Sequence, residues 1–450
     1  MSEAPRRYWD EAVETMPRER IRALQAERLR RQVERCYESS AFYRERFASV
    51  GAEPGDIRTP EDLAKLPVVT KQELRDEQAA CPPLGRFVVA ATEAWRELHP
   101  STGTTGVPVN TIWSATDVEH ITDFTARTMW QFGVRPGDVV QNAFAYGLWV
   151  AGMSVHYAAA RIGALCLPTG AAIPTQRQIE YLRTPGSTVL IATPSYGMHI
   201  AEQLRERGID PDALPLRLGC FGGEAGTENP ATRAKLERGL GIDAFDYYGL
   251  AEVGPTFASE CEAKAGLHFA EDHVLVECVD PEAKAPRPDG QVGVLVFTHL
   301  TREATPMLRY WSNDYARLDR APCDCGRTHV RAPGGILGRH DDLIIYKGAK
   351  FYPVQVEKVV RSFAELADEF RIELVRVAAG SSQVARCTVV AERGPAAEVS
   401  GLDERLRRAL RDELGVTPDV RFERYGTLER TTFKAKRIVE VEPAQTPTAR

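Results

Sequence analysis

Three apolar runs decide the fold: STVLIATPSY at residues 187–196, LRLGCFGGEAG at 216–226 and IDAFDYYGLAE at 242–252. Each is short and ends in Gly, Thr, Pro or an acid. A continuous apolar run of this length, closed by turn residues, reads as a strand buried on both faces. Strands and helices alternate from about residue 85 to 300, which predicts an α/β domain of layered sheets and helices. In such sheets ligands bind outside the carboxyl ends of the strands, where this sequence places Gly, Ser, Thr and acids.

Working outward, strands separated by Gly turns dominate Val274 to Leu318, which predicts a β-rich part at about 255–335. GRHDDLIIYKGAKFYPVQVEKVV (338–360) gathers charge, Gly, a short strand and a helix, as a domain boundary does. Beyond it, strands near Ile372–Ala379 and Val384–Glu392 and a charged helix near Leu402–Glu413 predict a small α+β domain. The division falls at 1–340 and 341–450. Toward the N-terminus, Leu24, Leu29, Val33 and Tyr37 give one apolar face to a helix from about Pro17 to Phe47. Thr59-Pro60-Glu61-Asp62 combines a capping side chain, a first-turn Pro and early acids, so Thr59–Leu74 reads as a loop and a capped helix.

Composition narrows the class. The 450 residues are 43% hydrophobic and 27% charged, with a net charge of −6, as in a globular protein of two or three domains. No basic block marks a nucleic-acid partner. Nine scattered cysteines are no disulfide framework, and the polar N-terminus lacks the apolar core of a signal peptide, so a cytoplasmic setting is expected. AFAYGLWVAGMSVHYAAARIGALCLP (143–168) is long enough to span a bilayer, but His156 and Arg161 interrupt it. It reads as a buried helix leading into a strand, with no membrane partner.

Five motifs carry chemistry. Ser101-Thr102-Gly103-Thr104-Thr105-Gly106 offers hydroxyls and Gly amides to phosphate oxygens, although its spacing is not that of a Walker loop. Glu252 closes Tyr247-Tyr248-Gly249-Leu250-Ala251-Glu252 at a strand end, where a carboxylate can hold Mg²⁺ against ATP phosphates. Asp314 follows a strand and can accept from both ribose hydroxyls. Arg339 can reach a phosphate or the ribose, and Asp341 is placed to act as a hinge. Lys434, in ERTTFKAKR (429–437), can neutralise charge on an α-phosphate under attack. Separately, Cys261, His268, Cys323 and Cys325 form a Cys₃His set suited to tetrahedral zinc, with His273 and His329 as alternative ligands.

In this order the motifs resemble the adenylate-forming superfamily of acyl-CoA synthetases, luciferases and adenylation domains, and within it the phenylacetate–CoA ligases. The likeness runs from YWDEAVETMPRER (8–20) through LPVVTKQELRD (66–76), CDCGRTHVR (323–331) and DDLIIYKGAKFYPVQVE (341–357) to the C-terminal lysine. It implies a large N-terminal domain and a small mobile C-terminal domain that swings between two half-reactions. It implies that the loop from Thr102 to Gly106 handles phosphates, and that Gly222, Gly223 and Glu224 border adenine with Tyr247 and Tyr248. It further implies that Glu252 serves Mg²⁺, Asp314 the ribose and Lys434 adenylation. Phe144, Tyr146, Gly147 and Trp149 fall where relatives build the acyl pocket, and aromatic walls suit an aryl or arylacetic acid. Some relatives carry a structural zinc at the Cys₃His positions, and relatives are often homodimers.

The expected reaction therefore joins a carboxylic acid to AMP from ATP and passes the acyl group to CoA. Transfer to an amine, an amino acid or a carrier protein is the alternative. The chain departs from the family at three places: Val107 stands where a Lys usually follows the loop, Asn313 precedes the ribose acid in place of Gly, and Phe433 precedes Lys434 in place of Gly. The first departure removes a cation from the triphosphate, so either other cations compensate or ATP binding is weaker.

Overall fold

The computed structural model describes residues 6–101, 107–378, 383–395, 400–431 and 435–441. At its centre is an eight-stranded sheet. From one edge the order is Leu165–Leu167, Val139–Asn142, Val189–Ala192, Leu218–Phe221, Asp243–Leu250, Gly254–Ser259, Leu267–Phe269 and Arg331–Ala332. The first five strands are parallel and the last three add antiparallel. Alternation within the strands explains their apolar runs. Val189 and Ile191 pack with Met129, Val155 and Ala158 on one face, while Leu190 and Ala192 pack with Leu182, Ile200 and Leu236 on the other. Both faces of Val189–Ala192 are covered in this way, and all four of its residues are buried and apolar.

The chain runs from Val139–Asn142 to the edge strand Leu165–Leu167, then returns to Val189–Ala192 on the opposite side. That reversal opens a crevice at the carboxyl ends of the two inner strands, the usual ligand position in an open α/β sheet. A second, antiparallel sheet is formed by Val274–Val279, Val292–His299, Tyr310–Arg317 and Gly338–Arg339, the last of these beyond the 255–335 bounds expected for a β-rich part. A six-stranded C-terminal sheet carries the helices Pro353–Ser362 and Leu402–Leu414 on its own core. Leu402, Leu406, Leu410 and Leu414 recur every fourth residue and form the buried stripe of the second helix. The fold is thus mixed α/β, with a large N-terminal and a small C-terminal domain.

The N-terminal helix is broken where sequence periodicity runs on. Helices Arg18–Ser39 and Ala41–Ser49 meet at Ser40, whose extended backbone ends the first and whose hydroxyl accepts the Tyr43 N–H at 3.3 Å to cap the second. The Thr59 capping box starts only a 3₁₀ turn, Pro60–Lys65, and the helix proper is Lys71–Ala80. The long apolar stretch resolves into the helix Val150–Ile162 and the edge strand, and no helix among the described residues is long and apolar enough to cross a membrane.

Candidate active site

The crevice is built from glycine outward. A Cβ on Gly222 would lie 2.5 Å from the Tyr247 carbonyl, and one on Gly249 would lie 1.9 Å from that of Pro255. Only glycine lets the turns after Leu218–Phe221 and at the end of Asp243–Leu250 approach so closely. Tyr247 is thereby set edge-on to Phe144, ring centroids 5.8 Å apart, and Phe144 stacks with Trp149 at 6.4 Å. The Tyr146 hydroxyl accepts from the Asn142 amide at 2.8 Å and lies 3.3 Å from His156 Nδ1, while Gly147 is exposed. The four residues assigned to the acyl pocket therefore lie together at the end of Val139–Asn142, with a polar corner of Asn142, Tyr146 and His156.

Asp314 is buried and held from two sides. Tyr248 donates its hydroxyl to one carboxylate oxygen at 2.6 Å, and Arg339 meets the other at 2.8 Å. Arg339 also takes both oxygens of Asp341 at 3.0 Å, so the hinge candidate and the ribose candidate share one guanidinium. Asn313 sits at φ +69°, where glycine is usual and Asn is the best-tolerated substitute. Its side chain bridges Trp311 Nε1 at 2.6 Å and Asp341 at 3.5 Å.

Sequence reasoning missed Lys71. Its ammonium lies 2.9 Å from the buried Glu252 carboxylate. Thr70 and Glu73 form a reciprocal capping box that starts the helix at Lys71. Val69 exchanges backbone hydrogen bonds with Arg309 and Trp311 at 2.8 Å, which stitches this turn to the strand bearing Asp314. Tyr310 on that strand also bonds Glu252, and burial and that carboxylate hold its phenol well above the usual range. A capping Thr with Glu three residues on was visible in LPVVTKQELRD; the contact with Glu252, 181 positions away, was not.

Ser101 follows the paired strands Glu97–Pro100 and Asn110–Trp113, exchanging hydrogen bonds with Val109 through its N–H at 2.7 Å and its Oγ at 3.0 Å. Thr102, Gly103, Thr104, Thr105 and Gly106 lie outside the described residues, as does Lys434. The flank of Lys434 is described: Ala435 donates its N–H to Glu224 at 2.7 Å, and the other Glu224 oxygen accepts the Ser195 N–H at 2.8 Å. Glu224 thus ties a strand-end turn of the large domain to the C-terminal segment. Gly223 immediately precedes Glu224 at φ +85°, in the turn itself.

The Cys₃His set also converges. Cys261, His268, Cys323 and Cys325 are buried, with all four ligand atoms within 4.8 Å of one another. Cys261 and Cys323 sulfurs are 3.9 Å apart, and Cys325 Sγ lies 3.6 Å from His268 Nε2. A zinc tetrahedron with bonds of about 2.0–2.3 Å has edges of about 3.5–3.8 Å, so the residues fit the ion. His268 Nδ1 faces the His329 carbonyl at 3.2 Å, which turns Nε2 toward the thiols. His273 is elsewhere, paired with Asp272 at 3.3 Å and Thr301 at 2.8 Å, and the His329 ring faces the Val13 and Phe269 carbonyls. Neither alternative ligand joins the cluster.

Comparison with known proteins shows the family. The AMP-binding enzyme family matches residues 95–311, and the AMP-binding enzyme C-terminal domain matches 348–441. The chain is 41% identical to the phenylacetate-coenzyme A ligase of Thermus thermophilus over 366 residues, 81% of this chain and 80% of that one. It is 36% identical to the enzyme of the same name from Pseudomonas putida over 438 residues, 95% and 96% of the two chains. Among solved structures, 2-hydroxyisobutyryl-CoA ligase in its postadenylation state, in complex with R3-HIB-AMP, superposes with a TM-score of 0.92 at 29% identity, covering 98% of this chain and 94% of that one. The same ligase with 2-HIB-AMP and CoA in its thioesterification state gives 0.74 over the same shares.

Proposed function

The chain belongs to the AMP-binding enzymes, in the phenylacetate–coenzyme A ligase branch, and from that premise we propose that it activates an aryl or arylacetic acid for transfer to CoA. In the first half-reaction a carboxylate oxygen attacks the α-phosphorus of ATP. The new P–O bond replaces the bond to the β-phosphate, and pyrophosphate leaves. In the second, the CoA thiolate attacks the acyl carbon, AMP departs, and the thiol proton goes to solvent. No side chain needs to become a nucleophile; the protein positions groups and neutralises charge.

The residues divide the work. Asp314 accepts from the ribose hydroxyls, with Tyr248 and Arg339 fixing its orientation. The turn Gly222–Gly223–Glu224 with Tyr247 borders the adenine, and Ser101 to Gly106 meets the phosphates. Lys71 supplies the cation that Val107 does not, and Arg75, which donates to the Val107 carbonyl at 2.8 Å, adds a second near the loop. Glu252 is the residue to hold Mg²⁺, which when bound neutralises phosphate charge. Lys434 stabilises the pentavalent α-phosphorus. Phe144, Tyr146, Gly147 and Trp149 form the acyl wall. The small domain, from residue 341, swings about Asp341 between the half-reactions. Cys261, His268, Cys323 and Cys325 hold a structural zinc, since a filled tetrahedral shell leaves no position for substrate. A cytoplasmic homodimer completes the reading, and sedimentation of the purified protein checks the assembly.

The observation that carries the proposal is the convergence of the paired Lys71 and Glu252 with the doubly held Asp314, around Tyr248 and Tyr310. The test is pyrophosphate release with a panel of aryl, arylacetic and aliphatic acids, with CoA, amino acids or no acceptor, and products identified by mass spectrometry. Release with an aromatic acid and a thioester with CoA is expected. An amide with an amine and no thioester would assign the alternative acceptor.

A further inference from the structure

The segment that carries Lys434 is clamped to the large domain on both sides, and one helix anchors both clamps. After the lysine, Ala435 donates to Glu224, and Glu224 is held by Ser195 in the first turn of helix Pro194–Glu206. Before the lysine, Arg430 meets Glu202 two turns along the same helix, at 3.0 Å and 3.3 Å through two guanidinium nitrogens. Tyr425 gives its hydroxyl to the same carboxylate and also reaches Glu206 at 2.9 Å, while Arg205 lies 3.4 Å from it. His199 Nδ1 completes the shell of Glu202 at 3.4 Å.

Glu202 is only 8% exposed. Burial alone would raise its pKa, but the bonds from His199, Arg430 and Tyr425 outweigh it and hold the carboxyl below the usual range. Within its own domain Arg430 is fixed by Glu392 at 2.7 Å, so its guanidinium is presented to Glu202 in a set orientation. These contacts join two domains, in the arrangement shared with a postadenylation structure and not with a thioesterification one. A swing that withdraws Lys434 must break them.

We propose that Glu202 is a positioning residue for adenylation: a latch that engages Arg430 and Tyr425 when the small domain delivers Lys434, and releases them for thioester formation. This rests on the two-step ligase reading above. Glu202 touches neither substrate nor reacting atoms; it sets how much of the protein occupies the adenylating pose.

The test separates the half-reactions in the full-length protein. Single-turnover pyrophosphate release is measured with ATP and the acid the wild type accepts, and thioester formation is measured from supplied acyl-AMP and CoA. Glu202→Gln and Tyr425→Phe should each slow the first by about 5- to 50-fold, the range of a modest conformational coupling, and leave the second unchanged or faster. Tyr425→Phe keeps both Glu202 and Arg430, so it reports on the latch if Glu202→Gln folds poorly. Equal losses in both half-reactions, or an unchanged first one, would overturn the latch. A wild type that releases no pyrophosphate with any acid would overturn the ligase reading and the latch with it.

Discussion

The Lys71 ammonium, at the start of helix Lys71–Ala80, stands 2.9 Å from the buried carboxylate of Glu252, which follows strand Asp243–Leu250. In the proposed reaction Lys71 is the cation that compensates for Val107. Lys71→Ala should lower acyl-AMP formation on the order of 10²-fold, the size expected for one lost charge stabiliser at a reacting phosphate. Lys71→Arg should recover part of it. Stopped-flow pyrophosphate release checks this, and an unaffected Lys71→Ala would move the compensating role to Arg75.

Asp314 is held by Tyr248 and Arg339 so that its carboxylate faces one way. If that face reads the ribose, Asp314→Asn should raise KM for ATP about ten-fold, since hydrogen bonds to an ionised group are the stronger kind. The variant should also discriminate less between ATP and 2′-deoxy-ATP. Steady-state kinetics with both nucleotides decide it; unchanged discrimination would place the ribose elsewhere.

A pH dependence follows from Glu228. Burial lifts its carboxyl to about 7, with the Glu357 charge adding to the rise while the Gly226 N–H and Arg233 pull the other way. Asp246, beside it, is raised as well by burial and by Glu228 and Glu260. Glu228 Oε2 accepts the Gly226 N–H at 2.7 Å, and Oε1 has no hydrogen-bond partner among the described residues. Below pH of about 4.5 both folded and unfolded chains hold this proton. As pH rises toward 7 the unfolded chain loses it first, so stability falls through that window. Glu228→Gln removes the titration, so its melting temperature should gain on the wild type between pH 5 and pH 8. Each unit of elevation is about 1.4 kcal/mol, and the full effect is on the order of a few kcal/mol. A pH-independent difference would contradict the assignment.

The Cys₃His cluster predicts about one zinc per chain on metal analysis of protein purified without chelator. Cys323→Ser should lose the metal and melt well below the wild type, because a structural zinc contributes its binding energy to folding. The residual folded fraction should keep its KM for ATP. Protein that is metal-free and equally stable would show the cluster to be a set of buried thiols.

The strands were legible because Val189–Ala192 and Leu218–Phe221 are buried on both faces and need no pattern beyond apolarity. The small domain was legible for a similar reason: its last helix spaces four leucines evenly. The break at Ser40 was not, because the apolar periodicity continues across it and only the local cap ends the first helix. Glu252, just past the end of Asp243–Leu250, could be found by position; Asp314 was expected after a strand but lies inside Tyr310–Arg317, because that strand continues past it to pair with Val292–His299. Lys71 could not, since its role comes from a contact between residues 181 positions apart, made by a turn stitched to a distant strand. Glu224 sits next to the glycines of its turn in sequence, yet its carboxylate reaches Ser195 and the C-terminal segment, a partnership visible only in three dimensions.

The central claim is that the acid attacks the α-phosphorus of ATP, and isotope transfer tests it most directly. The accepted acid, labelled with ¹⁸O at both carboxylate oxygens, is incubated with ATP, CoA and wild-type protein, and the nucleotide product is examined by mass spectrometry. The account predicts AMP carrying one ¹⁸O in its phosphate, with unlabelled pyrophosphate and a thioester retaining the other oxygen. Label in inorganic phosphate beside ADP, or thioester formed with unlabelled AMP, would contradict it.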